Sequence, residues 1–317
     1  MNKLDSEYEL FKALCNKEPV AINTKNTGLI ESLLAKNIGI KQTANNYRIK
    51  QECIALSEKL LRNNLDTAIN NSINPLNITY QTNSTNKQIT QQSQIAKYSV
   101  LLSEYQSSGQ GRREKQWFSP LATNICLSMQ FELQQTQNIQ FIPLITAVAV
   151  CRSLKQLGVE ACQIKWPNDI YLEGKKLAGI LVESRFNAEK KSVYVVGIGL
   201  NVNMDANEDI DQLWTSLRIN QNKRFDRNII VSLLLSELIA TYNRISEFNA
   251  YDFVRTWHQY DYLYGETITI VDSHGSYTAM AQGLANDGAL LIKRSSKKEQ
   301  DKIYSAEVSI KKSGQIK

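Results

Sequence analysis

Apolar residues in the first 62 positions recur at the spacing of helices. One run repeats tyrosine, phenylalanine and leucine at every third position, and another clusters leucine and isoleucine on one face. The pattern predicts helices over residues 5–16, 24–37 and 51–62, with a short β-wing over residues 40–49. An asparagine-rich run follows, and we interpret its first half as a linker.

From about Ile78 the pattern changes to mixed strands and helices. A buried helix is predicted over residues 143–157 with Gly158 as its cap, and an amphipathic helix over residues 228–248. Beyond Tyr264, short alternating strands and an Asn-Asp-Gly turn indicate a small barrel. The predicted strands lie at residues 99–105, 125–133, 162–166, 169–172, 178–184 and 192–200.

Composition narrows the class of protein. The 317 residues are 42% hydrophobic and 21% charged, as in globular proteins, and no apolar run is long enough to span a membrane. The N-terminus lacks the apolar core of a secretory signal. Five scattered cysteines and two histidines argue against a disulfide framework and a histidine-rich zinc centre. These features predict a reduced, cytoplasmic, soluble protein, and a net charge of +6 permits anionic ligands without requiring them.

The loop from Gly109 to Arg113, GQGRR, is the most informative local feature. Its glycines permit a close approach of the backbone to a ligand, and its adjacent arginines suit phosphate or carboxylate oxygens. A flexible basic surface loop has the same sequence, so both interpretations stay open.

Three further motifs have a chemical and a structural interpretation. KWPND (residues 165–169) places a lysine beside an Asn-Asp pair at a strand end, where a plain β-turn is the alternative. Lys176 enters an apolar strand three residues before a glycine, which suits a pocket, or equally a solvated strand end. GIGLNVN (residues 197–203) has no helix pattern after it, so a pocket floor fits better than a dinucleotide site.

The order of these motifs resembles that of the biotin protein ligases. Ser-Thr-Asn at 84–86, Glu-Tyr-Gln at 104–106, GQGRR, WFSP at 117–120, KWPND, KLAGILVE at 176–183 and GIGLNVN follow one another as in that family. The resemblance covers about residues 80 to 312. It implies an α+β fold with a winged-helix-like N-terminal module (residues 1–62), a central mixed-sheet ligase domain (63–263) and an SH3-like β-barrel (264–317).

The resemblance also implies roles for individual residues. Biotin would be bound by Ser84, Thr85, Asn86, Gln106, Gln110, Gly111, Arg112, Lys176, Gly179 and Gly197. ATP and the adenylate would contact Arg112, Asn168, Asp169, Lys176, Asn201, Trp214 and Lys311. The catalytic set would be Lys176, Arg112, Asp169 and Lys165, with the Gly-Arg loop and the Trp214 segment as lids.

Two positions of the loop depart from the family pattern. Gln110 stands where the family has its first loop arginine, and Glu114 where it has the final glycine. The N-terminal module also departs, because the chain between Ala21 and the wing is too short for two helices. Sequence-specific DNA binding needs both helices. Lys25, Asn26 and Lys36 are the candidate DNA contacts if residues 24–37 form a recognition helix.

The function implied is that of a biotin–[acetyl-CoA-carboxylase] ligase acting through biotinyl-5′-AMP, with ATP and biotin as substrates, Mg²⁺ as cofactor and no metal ligands in the chain. The biotin carboxyl carrier protein would be its partner. Operator DNA is a further candidate partner, as is a second copy paired through strands 178–184 and 192–200. Two alternatives stay open: a lipoate-type acyl ligase, and a repressor or sensor of biotinyl-AMP without efficient ligation.

Overall fold

A computed structural model describes residues 3–50, 52–91, 97–133, 138–186, 192–205, 210–272, 275–295 and 299–310. The helices are α1 Lys3–Cys15, α2 Thr24–Leu34, α3 Glu58–Asn63, α4 Thr67–Ser72, α5 Thr85–Ile89, α6 Ile142–Lys155, α7 Leu217–Gln221, α8 Arg227–Asn243 and α9 Ala250–His258. The strands are β1 Val20–Ala21, β2 Ile40–Gln42, β3 Asn46–Ile49, β4 Ile73–Thr82, β5 Tyr98–Gln106, β6 Gly109–Gln110, β7 Gln116–Trp117, β8 Ile125–Leu133, β9 Cys162–Lys165, β10 Asp169–Leu172, β11 Lys175–Phe186, β12 Ser192–Leu200, β13 Thr267–Asp272, β14 Gly275–Leu284, β15 Leu290–Lys293, β16 Gln300–Ile303 and β17 Glu307–Ile310.

The chain divides into two compact units. The first comprises residues 1–134 and 177–236, and the second comprises residues 135–176 and 237–317. Among the described residues, no helix has the length and apolar character that a membrane crossing requires.

The N-terminal module of the first unit contains α1, α2 and the small antiparallel sheet β1–β3–β2. Asn23 caps α2, because its side chain accepts a hydrogen bond from the backbone N–H of Asn26 at 2.9 Å. Only α2 lies between β1 and β2, in agreement with the short spacing in the sequence. The module packs on the central sheet region through one hydrophobic cluster, which includes Phe11, Leu14, Leu33, Tyr80 and Leu121.

The segment after the module differs from the prediction in the length of one helix and the presence of another. The helix expected over residues 51–62 begins only at Glu58, and residues 52–57 have no helical structure. The interpretation of the following residues as a linker is wrong, because α4 begins four residues after α3 ends. Asp66 caps α4, because its carboxylate accepts a hydrogen bond from the backbone N–H of Ile69 at 2.9 Å. An aspartate that is typical of a loop in the sequence therefore begins a helix.

The first unit is built on strands in the order β4–β5–β8–β12–β11. β4 and β5 are parallel, whereas the other neighbours are antiparallel, so the predicted mixed sheet is confirmed. β12 pairs with β8 along one edge and with β11 along the other. The expectation that residues 192–200 pair edge to edge with a second copy is therefore wrong, since both edges of this strand are occupied.

The second unit combines the β9–β10 hairpin, α6, α9 and the antiparallel sheet β16–β15–β14–β13–β17. The all-β C-terminal region predicted from the sequence is thus confirmed. α6 ends as predicted: Gly158 has a φ of +81°, and the N–H of Val159 bonds to the carbonyl of Leu154 at 3.1 Å. The hairpin is held to the β14–β15 turn, where the indole of Trp166 donates to the carbonyl of Gly288 at 3.1 Å.

Candidate active site

Two glycines on β12 form the floor of a candidate site in the first unit. Gly197 lies in register between Ser128 of β8 and Leu181 of β11. A Cβ atom on Gly197 would lie 2.3 Å from Oδ1 of Asn86, far inside normal contact distance. Gly197 is therefore required here by the close approach of the Asn86 side chain.

The next row of the floor repeats this arrangement. Gly199 lies in register between Cys126 of β8 and Gly179 of β11, on the same face as Gly197. A Cβ atom on Gly199 would lie 2.3 Å from Cε2 of Trp117, so the indole ring rests directly on the glycine. The thiol of Cys126 is fully buried, and burial raises its pKa to about 11.

The residues of the Ser-Thr-Asn motif cover this floor at the start of α5. Ser84, Thr85 and Asn86 are each no more than 5% exposed. Oε1 of Gln106 accepts hydrogen bonds from the backbone N–H of Thr85 at 2.7 Å and from its hydroxyl at 3.0 Å. Ser84 occupies the N-cap position, but its side chain makes no cap hydrogen bond.

Hydrogen bonds of the Asn86 side chain connect α5 to two strands of the sheet, β8 and β11. Its Oδ1 accepts from the hydroxyl of Ser128 at 2.6 Å, and its Nδ2 donates to Oε2 of Glu183 at 2.7 Å. Ser128 and Glu183 were not candidates in the sequence. The alternation of side chains along a strand shows which residues share a face with the motif glycines. The register between strands is also needed to find Ser128 and Glu183, and a single sequence does not provide it.

The GQGRR loop forms a small hairpin in which Gly109 pairs with Trp117 and Gln110 with Gln116. A 3₁₀ turn, Arg112–Glu114, connects the two strands. Glu114 has a φ of +60°, in the left-handed region that favours glycine. The family pattern has its glycine at this position, so the departure in sequence creates a strained backbone. Gln110 is exposed, whereas Gly111 and Arg112 are half-buried.

Two of the expected adenylate contacts, Asn201 and Trp214, lie just after β12 and shortly before α7. Nδ2 of Asn201 donates to the carbonyl of Thr215 at 3.1 Å, and its Oδ1 accepts from Asn124 at 3.2 Å. Asn201 thus holds the residue that follows Trp214, whose ring is half-buried. This geometry suits Asn201 for positioning the Trp214 segment.

A cation–carboxylate pair dominates the candidate residues of the second unit. Nζ of Lys176 lies 2.9 Å from Oδ1 of Asp169, and both side chains are at least 80% buried. Lys165 donates to the hydroxyl of Tyr171 at 3.3 Å. Burial, and then the charge of Asp169, raises the pKa of Tyr171 well above its ordinary value. Asn168 is half-buried in the turn between β9 and β10.

The remaining expected residues have mixed outcomes. Lys311 lies outside the described residues. Lys25 is exposed on α2, whereas Nδ2 of Asn26 donates to the carbonyl of Ala21. The expectation that Lys36 contacts DNA is wrong, because its side chain is 10% exposed and paired with the buried carboxylate of Glu7.

A third buried ion pair involves the end of β5, two residues before Gln106. Glu104 and Arg227 are 2.7 Å apart, and each side chain is almost completely buried. Glu104 also accepts from the N–H of Leu56, and Arg227 donates to the carbonyl of Ile54. The segment that leaves the N-terminal module is thereby fixed two residues from Gln106.

Comparison with known proteins identifies the class. The Biotin/lipoate A/B protein ligase family matches residues 77–203, and the Biotin protein ligase C terminal domain matches residues 264–311. The bifunctional ligase/repressor BirA of Escherichia coli is 30% identical over 196 residues, which are 61% of this chain and 61% of that protein. The biotin–[acetyl-CoA-carboxylase] ligase of Mycobacterium tuberculosis is 36% identical over 146 residues, 44% of this chain and 53% of that protein.

Solved structures share the fold. The biotin protein ligase of Aquifex aeolicus, in complex with biotin and ATP, superimposes with a TM-score of 0.66 at 24% identity. That match covers 75% of this chain and all of the other. The chain thus has the fold of this ligase, and residues 77–203 match the biotin/lipoate ligase family model. The C-terminal match is to a biotin protein ligase domain, so the chain is similar to the biotin protein ligases over residues 77–203 and 264–311.

Proposed function

We propose that this protein is an ATP-dependent biotin–[biotin carboxyl carrier protein] ligase that acts through biotinyl-5′-AMP. The observation that carries the proposal is the buried cluster of Thr85, Asn86, Gln106 and Ser128 on the Gly197 floor. A small, flat, polar ring is the kind of ligand that such a cluster suits. One relative is a biotin–[acetyl-CoA-carboxylase] ligase by name, and another is named a bifunctional ligase/repressor.

The ring of biotin is a cyclic urea, with one carbonyl acceptor and two N–H donors. Because Oε1 of Gln106 accepts from the N–H of Thr85, its Nε2 protons are directed away from Thr85. They can donate to the urea carbonyl. The hydroxyl of Ser84, which does not cap α5, is a further partner for the ring.

The first step joins biotin to ATP. A carboxylate oxygen of biotin attacks the α-phosphorus, and pyrophosphate leaves. Lys176 supplies a cation for the carboxylate and the acyl phosphate, held in place by Asp169 at 2.9 Å. Arg112, on the hairpin, supplies a donor to the phosphate, and Asn168 and the Trp214 ring contact the nucleotide.

Mg²⁺ enters this step with ATP as part of the substrate. Among the described residues, no group of three His, Cys, Asp or Glu side chains is placed to hold a metal ion. A magnesium ion that is bound mainly by substrate phosphates needs few protein ligands.

The second step transfers biotin to the carrier protein. The amine of a carrier lysine attacks the acyl carbonyl, and AMP leaves. An amine must lose a proton to become a nucleophile, and we assign Asp169 to orient the amine and to accept that proton. Lys165 lies beside Tyr171 on the same hairpin and adds positive charge for the phosphate.

Lipoate is the competing substrate, since the family match over residues 77–203 covers both acids. The C-terminal match favours biotin. Repression is not part of the proposal, although four relatives carry it in their names. The exposed face of α2 carries Lys25 and Glu31, whose charges cancel, and Lys36 is buried. Such a face gives little attraction to phosphates.

The test is exchange of labelled pyrophosphate into ATP with biotin or lipoate as the acid, followed by avidin detection of a carrier domain. Biotin-dependent exchange and carrier labelling are expected. Exchange with lipoate alone would overturn the proposal. A gel shift with biotin and ATP over a range of salt tests the DNA-binding alternative, and no specific shift is expected.

A further inference from the structure

Two cysteines from different segments of the first unit lie side by side. Cys15 is the last residue of α1, and Cys53 lies in residues 52–57, which lead to α3. Although they are far apart in the sequence, their thiols form a hydrogen bond with each other. Both are free thiols, and both pack against the hydrophobic cluster of the N-terminal module. Neither step of the proposed ligation uses this pair.

A cavity of about 660 Å³ lies next to the two cysteines. Its wall is formed by α1, by residues 53–58 and by β4, and both cysteines line it. Each of them is partly exposed. The cavity therefore gives a small solute access to both side chains.

The hydrogen bond makes the two thiols chemically unequal. The bond from Cys15 lowers the pKa of Cys53; burial opposes this shift, and the charge of Arg227 supports it. The same bond raises the pKa of Cys15, and burial raises it further. Because the thiolate is the nucleophilic form of cysteine, Cys53 is the more reactive member of the pair.

The other three cysteines lack this combination of contact and access. Cys151 of α6 and Cys162 of β9 also share a hydrogen bond, but they are only 1% and 5% exposed. The bond with Cys162, together with burial, raises the pKa of Cys151. Cys126 is 2% exposed. Of the five cysteines, Cys15 and Cys53 are thus the two that a solute can reach.

We propose that Cys53 and Cys15 form a redox-modification site, which a hydroperoxide converts into a disulfide. The Cys53 thiolate attacks one peroxide oxygen and the O–O bond breaks, so that Cys53 becomes a sulfenic acid and the other oxygen leaves, protonated, as water when the oxidant is hydrogen peroxide. The sulfur of Cys15 then attacks the sulfur of Cys53. The S–S bond forms, and the sulfenic oxygen leaves with the Cys15 proton as a second water. The two thiols lose two electrons in all, and hydrogen peroxide gains them.

The disulfide would join the N-terminal module to a segment that is fixed to the central sheet. The N–H of Leu56 donates to Glu104, and the carbonyl of Ile54 accepts from Arg227. A bond between positions 15 and 53 closes a loop that contains α2 and the β1–β3–β2 sheet. Because such a bond restricts the unfolded chain, oxidation should stabilise the first unit.

The experiment treats the reduced whole chain with hydrogen peroxide and follows intact mass, linked peptides and free thiols. The mass should fall by about 2 Da, the mass of the two hydrogen atoms lost in a disulfide. Peptide mapping should show Cys15 joined to Cys53, formed at least about tenfold faster than any oxidation of Cys126 or Cys151. The melting temperature should rise by about 5 °C and return to its first value after reduction with dithiothreitol.

Substitutions separate the two roles. Cys15→Ser removes the resolving thiol, so a sulfenic acid should accumulate at Cys53 and be captured there by dimedone. Cys53→Ser removes the attacking thiolate, and Cys15 should then stay unmodified at the same peroxide dose. Cys151→Ala is the matched control, since it removes one member of the buried pair. This variant should form the disulfide at the wild-type rate.

Three results would overturn the proposal. The first is a wild-type chain that keeps all five thiols at a peroxide dose that fully oxidises free cysteine. The second is a disulfide between Cys151 and Cys162, or between two chains, in place of the proposed one. The third is a Cys15→Ser variant that captures no dimedone at Cys53. These measurements need neither biotin nor ATP, so they test this inference independently of the proposed function.

Discussion

Replacement of Lys36 by methionine tests whether the N-terminal module is part of the ligase core. Lys36 pairs with Glu7, and the carboxylate of Glu7 also accepts from Tyr80 at 2.5 Å and from Ser32 at 2.8 Å. Tyr80 belongs to β4 of the ligase sheet, and the carbonyl of Lys36 accepts from the N–H of Leu121 at 3.0 Å. The substitution removes the cation and leaves a buried carboxylate.

The expected loss of stability is about 3 kcal/mol. Removal of one partner from a buried ion pair costs about 3–5 kcal/mol, and the two hydrogen bonds that Glu7 keeps place this variant at the lower end. Lys12→Met is the matched control. Lys12 pairs with Glu9 at 2.6 Å on the exposed side of α1, the helix that carries Glu7. Its loss should not exceed about 0.5 kcal/mol.

The loss should also depend on pH. Burial raises the pKa of Glu7, but the hydrogen bonds from Lys36, Tyr80 and Ser32 outweigh it and hold the pKa below its ordinary value of 4.5. A lowered pKa stabilises the folded protein above that ordinary value, and this stabilisation is lost as the pH falls through the folded pKa. The difference between wild type and Lys36→Met should therefore shrink in acid.

Urea denaturation followed by circular dichroism measures these differences between pH 4 and 7. The double variant Glu7→Gln, Lys36→Met should recover part of the loss, because no unpaired charge stays buried. A Lys36→Met variant as stable as Lys12→Met at neutral pH would refute the reasoning. It would mean that the module does not share a core with the ligase sheet.

Three further substitutions test the site. Lys176→Ala should slow adenylate formation more than a hundredfold, since one charged donor at a developing acyl phosphate contributes about 3 kcal/mol, whereas exposed Lys175→Ala should not; equal exchange rates would contradict the assignment. Gly197→Ala should abolish measurable biotin binding by calorimetry, because its Cβ atom would lie 2.3 Å from Asn86; wild-type affinity would show that the floor is not close-packed. Glu114→Gly should relieve about 1 kcal/mol of backbone strain at a φ of +60° and so raise the melting temperature. A lower melting temperature would show that the greater chain entropy of glycine in the unfolded state outweighs this strain.

The regular elements could be predicted from the sequence where one pattern was strong over its whole length. Helix α6, with Gly158 beyond its end, and strand β12 lie within one or two residues of their predicted bounds. The spacing of apolar residues in these segments reflects which faces are buried. Because burial stabilises these elements, the spacing predicts their structure. The linker interpretation failed at α4 because its asparagines and one aspartate serve as helix caps and solvated faces, and composition does not distinguish these from loops.

The motifs of the candidate site could be predicted from the sequence, but contacts between residues distant in sequence could not, either in the site or in the N-terminal module. Lys36 looked like a solvent-exposed basic residue, because its partner Glu7 lies 29 positions away and Tyr80 lies on a different element. Ser128 and Glu183 are ordinary strand residues in the sequence, and only the register of β8, β12 and β11 brings them to Asn86. Contacts between distant segments depend on how strands align, which local patterns do not specify.

The buried thiol of Cys126 has a chemical consequence for the site. Cys126 shares the floor with Gly199 and Gly179, beneath the ligand that we assign to this pocket. An acyl phosphate is an electrophile, and a thiolate at this position would take the acyl group before any carrier lysine arrived. With a pKa of about 11 instead of 9.0, the thiolate fraction at neutral pH is about a hundredfold lower. The burial of Cys126 thus also disfavours its acylation by the adenylate that we propose for this site.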